Sequence, residues 1–78
     1  MIIKLFGIVE EIIGEKEIRI SLKENTSILD LKAILLEKYP NLKDIKAFAF
    51  AINETYATDN EILKETDIVA IIPPVSGG

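Results

Sequence analysis

The sequence closes on Pro73-Pro74-Val75-Ser76-Gly77-Gly78, and the reactive group of this ending is a main-chain carboxylate. Neither glycine carries a β-carbon, so the last peptide units can thread a narrow channel and take positive φ at little cost. The two prolines restrict φ and bias the segment toward extended polyproline II, which holds the end away from the body. A carboxylate is a poor electrophile. Adenylation by ATP turns it into a mixed anhydride with a good leaving group. A sulfide or persulfide sulfur can then displace AMP and leave a thiocarboxylate, an anion at neutral pH and a capable sulfur nucleophile. An amine would instead capture the acyl group as an amide. The same residues would also make an ordinary frayed terminus, because chain ends are commonly disordered.

Elsewhere the chain offers little for covalent chemistry. It has no Cys and no His, which removes Cys-His and Ser-His nucleophile arrangements and the usual zinc and iron sites. No glycine-rich phosphate loop is present. Glu10-Glu11 and Glu15-Lys16-Glu17 bring carboxylates together, but no apolar pocket surrounds them to raise a pKa, so they read as solvated surface. The expectation is a protein with no catalytic site of its own, in which the Gly78 carboxylate is the reacting group and any nucleotide site belongs to a partner.

Composition narrows the partners. Seventy-eight residues make one domain, near the lower limit for folding unaided. Stability must come from apolar packing, and 49% of the residues are hydrophobic. The formal charge is −4 and no basic run occurs, which argues against nucleic acid and slightly favours basic protein partners. Apolar stretches are short and broken by Lys and Glu, unlike a membrane span or signal peptide. With cysteine also absent, the expected location is the cytoplasm.

The elements that position the terminus follow from periodicity. Ile2 to Phe6 reads as a strand, with Ile3 and Leu5 on one side and Lys4 and Phe6 on the other. Glu10 to Gly14 is a helical turn or a loop. Lys16 to Leu22 alternates as a half-buried strand, hairpinned to the first. Ser27 with Asp30 three residues on is a helix N-cap signature. The stripe Ile28, Leu31, Ile34 and Leu35 predicts a helix over 28–38, stopped by Pro40. Ala47 to Ile52 is a third strand with Phe48, Phe50 and Ile52 on one side and three alanines on the other. Asn53-Glu54 turns into a short edge strand at Tyr56-Ala57. Ile68 to Ile72 is apolar throughout, which predicts a central strand.

A hairpin, a helix and further strands make an α+β domain. Pairing the first and last strands in parallel gives the β-grasp, or ubiquitin-like, fold. The expectation is a mixed sheet of four to five strands over residues 1–72, one main helix packed on one face, and a flexible extended tail over 73–78. In that arrangement Phe6, Ile68 and Ile72 would cluster on the face opposite the helix, near the tail. Such a patch is a protein-docking candidate, unless loops cover it.

The strand Asp67–Ile72 followed by Pro73-Pro74-Val75-Ser76-Gly77-Gly78 resembles the C-terminus of the molybdopterin synthase small-subunit family, which are β-grasp sulfur carriers. Leu5-Phe6-Gly7 with Glu11-Ile12-Ile13-Gly14, Ser27-Ile28-Leu29-Asp30-Leu31 and Ala51-Ile52-Asn53-Glu54 extend the resemblance over most of the chain. Carriers of thiamin synthesis also end in Gly-Gly but usually lack Pro-Pro-Val before it. The resemblance implies that an adenylating, E1-like enzyme activates Gly78 with ATP and Mg²⁺, and that sulfur is installed there as a thiocarboxylate. The tail, Pro73 to Ser76 leading Gly77 and Gly78, then enters the molybdopterin synthase large subunit. There sulfur passes to cyclic pyranopterin monophosphate to make the dithiolene of molybdopterin. It further implies partner-surface roles for Phe6 and Ile72. Four positions depart from the family: Glu10 stands where Arg is common, Ile71-Ile72 replace an aromatic pair, and Thr66 replaces a turn glycine, suggesting a different turn conformation. Alternatives are sulfur carriage for thiamin or tRNA thiolation, a ubiquitin-like modifier forming isopeptide bonds through Gly78, and an interaction domain whose tail has no chemistry.

Overall fold

Five strands form one mixed sheet, and their order follows from which of them carry polar residues. In the computed structural model, which describes residues 1–44 and 48–73, β1 (Ile2–Leu5), β2 (Glu17–Arg19), β3 (Ala49–Ile52), β4 (Thr55–Tyr56) and β5 (Ile68–Ile72) lie in the order β2-β1-β5-β3-β4. The wholly apolar β5 occupies the centre, parallel to β1 and antiparallel to β3. The short β2 and β4, which carry charged and polar residues, take the edges. This is the β-grasp arrangement.

One face of the sheet is covered by α2 (Ile28–Lys38), whose Ile28, Leu31 and Leu35 are buried. Against them lie Ile3 and Leu5 of β1, Ile18 of β2, Phe50 of β3, and Val69 and Ile71 of β5. Ile34, expected on the buried stripe, is 38% exposed. At about 100° per residue it falls roughly 90° from the centre of the stripe set by the other three. The start of α2 leaves no amide of its first turn unpaired. Ser27 and Asp30 form a reciprocal capping box with both bonds at 3.1 Å. The amides of Ile28 and Leu29 donate to the carbonyls of Glu61 and Asp59 at 2.9 and 3.1 Å, and Leu31 N–H reaches the Ser27 carbonyl. The 59–63 segment thus serves as part of the helix cap.

Several boundaries differ from the sequence expectation. The first strand ends at Leu5, and Phe6 is the N-cap of a second helix, α1 (Gly7–Ile13). The chain between the first two strands is therefore two helical turns rather than a single turn or a loop. Val9 is its fully buried anchor, and Ile12 and Ile13, at i+3 and i+4 from Val9, pack at the edge of the core. Gly14, at φ 85°, ends the helix and donates to the Glu10 carbonyl. The second strand shrinks from 16–22 to Glu17–Arg19. Pro40 ends α2 as expected and opens a 3₁₀ helix, Pro40–Asp44, whose Leu42 is fully buried. The edge strand is Thr55–Tyr56 rather than Tyr56-Ala57. Ala47, expected to open the third strand, lies outside the described residues.

The β3–β4 hairpin turns on two residues, Asn53 and Glu54, both with positive φ (48° and 71°). That pair of conformations is what a two-residue loop needs to match the twist of its strands. The Lys64–Asp67 turn closes with an Asp67 N–H to Lys64 carbonyl bond of 3.0 Å. Thr66 keeps a negative φ there, so no glycine is demanded.

Candidate functional site

Side chains paired across neighbouring strands point to the same side of a sheet, so the registers give the make-up of the open face. Ile2 pairs with Ile68 and Lys4 with Ala70 between β1 and β5. Ala70 pairs with Ala51, and Ile72 with Ala49, between β5 and β3. The β3 alanines thus form a flat floor beside Ala70. Around it stand large side chains: Phe6 is 48% exposed, Ile68 46% and Tyr56 69%. A recess of about 370 Å³ opens here, lined by Lys4, Phe6, Asn53, Glu54, Ile68 and Ala70. Its walls are apolar, with one cation and one anion at the rim. That suits a partner side chain that buries an apolar body and leaves a polar tip in water.

Asn53 builds one rim of the recess. Its backbone N–H donates to the Ile68 carbonyl at 2.8 Å, and its side-chain oxygen accepts from the Ile68 N–H at 3.0 Å. Its Nδ2 donates to Asp67 Oδ1 at 3.0 Å, and Asp67 Oδ2 accepts from the Lys64 N–H at 2.8 Å. The clamp fixes the hairpin turn to the start of β5 and holds Ile68 at the surface.

Phe6, Ile68 and Ile72, expected to cluster, are spread along the open face. Phe6 and Ile68 line the recess together. Ile72 is half-buried at the other end of β5, four residues and about 13 Å from Ile68. It stands beside Ala49 and leads into Pro73. Strand parity placed all three residues on one face; the β1–β5 register puts Phe6, next after Leu5, level with Ile72, and Ile68 stands at the far end of the strand beside Ile2. Pro73 reaches the start of α1, where a β-carbon built on Gly7 would sit 3.0 Å from its Cγ. Pro74, Val75, Ser76, Gly77 and Gly78, the remaining residues expected to reach a partner or to react, lie outside the described residues.

Lys4, Asn53 and Glu54 were not among the residues singled out from sequence. The Asn-Glu turn signal marked the position of the last two but not their facing across the sheet. A second, larger recess of about 520 Å³ lies between the 22–25 and 62–65 segments. These flank the end of the sheet opposite Ile72 and Pro73, and Lys23, Glu24, Lys64 and Glu65 make it highly charged. Among the described residues, no cluster of three or more acidic side chains is placed to hold a metal ion. No helix among them is long and apolar enough to cross a membrane.

Comparison with known proteins gives one family match: the model of the ThiS family covers residues 3–78. The molybdopterin synthase sulfur carrier subunit of Arabidopsis thaliana is 32% identical over 75 residues, covering 95% of this chain and 78% of that protein. Among solved structures, the small archaeal modifier protein 1 of Methanosarcina acetivorans superposes with a TM-score of 0.75 at 29% identity, covering 99% of this chain and 94% of that one. Subunit 1 or 2 in the complex of the two subunits of molybdopterin-converting factor from Helicobacter pylori matches with a TM-score of 0.69 at 28% identity, covering 99% and 96%.

Proposed function

This chain belongs to the ThiS family, and from that membership we propose that it is a sulfur carrier for molybdopterin synthesis, serving a molybdenum or tungsten cofactor, with Gly78 as its loading point. The observation that supports this most is the family match running through residue 78, together with a sulfur carrier subunit 32% identical over nearly the whole chain. The Gly78 carboxylate attacks the α-phosphorus of ATP and expels pyrophosphate, in the Mg²⁺-dependent site of an adenylating, E1-like enzyme. Hydrosulfide then attacks the acyl carbon and AMP leaves, giving the thiocarboxylate. A persulfide donor reaches the same product once a thiol has reduced the intermediate acyl disulfide.

The folded domain contributes recognition. Phe6, Ile68 and the alanine floor offer apolar surface for a partner to bury, and Lys4 and Glu54 offer polar contacts at the rim. The complex of two converting-factor subunits from Helicobacter pylori supports a synthase large subunit as that partner. Pro73 to Ser76 then carry Gly77 and Gly78 into its active site, in the cytosol, where the sulfur is passed to the pterin precursor.

A second use of the same acyl adenylate is favoured by the likeness to the archaeal modifier protein: a lysine amine, rather than sulfide, takes the acyl group and an isopeptide bond forms. Carriage of sulfur to thiamin or tRNA shares the activation steps and differs only in acceptor. The test is to incubate the chain with its adenylating enzyme, ATP and sulfide, and to analyse the C-terminal peptide by mass spectrometry. Exchange of one carboxylate oxygen for sulfur at Gly78, followed by loss of that sulfur on adding large subunit and pterin precursor, is the expected result. Sulfur that stays on the carrier, or a Gly78–lysine linkage as the sole product, would defeat it.

A further inference from the structure

Two glycines of the described chain have positive φ, and they differ in what surrounds them. Gly14, at φ 85°, has nothing within 4 Å of where a β-carbon would stand; its demand is purely conformational and ends with the α1 cap. Gly7, at φ 53°, has a second constraint. A β-carbon there would lie 3.0 Å from Pro73 Cγ, well inside the roughly 3.5–4.0 Å optimum for two carbons. Both partners in this contact are held from behind. Pro73 follows Ile72, which is fixed in register against Ala49 of β3. Gly7 is held between β1 and the fully buried Val9 of α1. The proline ring therefore rests on bare backbone where the sheet hands over to the tail.

We propose that Gly7 is a positioning residue for the acyl end: its missing side chain seats Pro73 against the first turn of α1 and so fixes the point on the domain from which Gly78 is delivered. This rests on the assignment of Gly78 as the delivered group. Five residues follow Pro73, a reach of up to about 17 Å, so the point from which they start bounds where Gly78 can be presented. The recess that docks the partner includes neither Gly7 nor Pro73. Crowding this joint leaves docking intact and misdirects delivery.

The experiment compares the wild-type chain with Gly7→Ala, Pro73→Ala and the double variant. In the free chain, nuclear Overhauser contacts are sought between the Gly7 α-protons and the Pro73 γ-protons. Adenylation by the activating enzyme is followed against carrier concentration. The wild type shows the contact. Gly7→Ala lowers kcat about ten- to a hundredfold, the scale of ångström misplacement of a reacting group, with KM unchanged. Pro73→Ala, which removes the carbon that the new methyl meets, restores most of that loss in the double variant. Partial unfolding would instead raise the apparent KM.

An absent wild-type contact, a wild-type kcat in Gly7→Ala, or a deficit that the double variant fails to recover overturns the proposal. Should Gly7→Ala fail to fold, Pro73→Leu alters the other side of the joint; a fall in kcat larger than any rise in KM is expected, and normal turnover overturns the idea. If the wild type is not adenylated at all, the carrier assignment fails, while the Overhauser contact still decides whether Pro73 is seated on Gly7.

Discussion

The two faces of one strand carry the contrast on which this protein is built. In β5, Val69 and Ile71 are fully buried under α2, while Ile68 on the other side is 46% exposed and Ala70 and Ile72 are only partly covered. Residue type does not distinguish them, since all five are apolar. Burial against a helix makes the first pair an energetic anchor. Exposure of the second set, beside Phe6, has no stability rationale and leaves apolar surface available to a partner. One face holds the domain together and the other is free to recognise something.

That contrast breaks most visibly from the core side. Leu35→Ala, which removes a fully buried side chain of α2, should cost about 2–5 kcal/mol in urea unfolding. Partner affinity should fall only through the lost folded fraction. On the open face the ranking reverses. Phe6→Ala or Ile68→Asp should leave the unfolding midpoint nearly unchanged and weaken large-subunit binding by about 1–3 kcal/mol, measured by calorimetry. A larger loss of stability than of affinity would move these residues into the core.

Asn53→Ala sits between the faces. It removes both side-chain bonds of the clamp and places alanine at positive φ, so a stability loss of about 1–2 kcal/mol is expected, with weaker binding because Ile68 loses its support. Ser27→Ala deletes the α2 cap and should cost about 1 kcal/mol without touching affinity. The smallest effect should come from Glu54→Gly. Glu54 holds φ 71°, and glycine relieves a strain of about 1 kcal/mol. Part of the gain is returned as unfolded-chain entropy. A slightly higher melting temperature is the expected readout.

What the sequence made legible were features written in local spacing. The unbroken apolar run of Ile68–Ile72 marked the central strand, and Ser27 and Asp30 marked the α2 cap. The features that escaped depend on contacts between distant residues or lack a capping side chain. Helix α1 begins on Phe6 and Gly7, which carry none of the usual start signals; Val9, Ile12 and Ile13 with Gly14 behind them were the available clue. Leu42 is buried from a 3₁₀ turn too short to show a period. The Asn53 clamp and the Gly7–Pro73 joint each link residues far apart in the chain. Ile72 shares a face with Ile68 by parity, but parity carries no information about distance along a strand.

The central claim is that the acyl end of Gly78 carries the cargo and the domain is its handle. The most direct measurement fuses a few residues after Gly78, verifies by intact mass that they stay uncleaved, and assays molybdopterin formation in cells lacking the native chain. Normal folding and partner binding with no cofactor formed is the predicted result. Cofactor formation at the level of the unextended chain would contradict it.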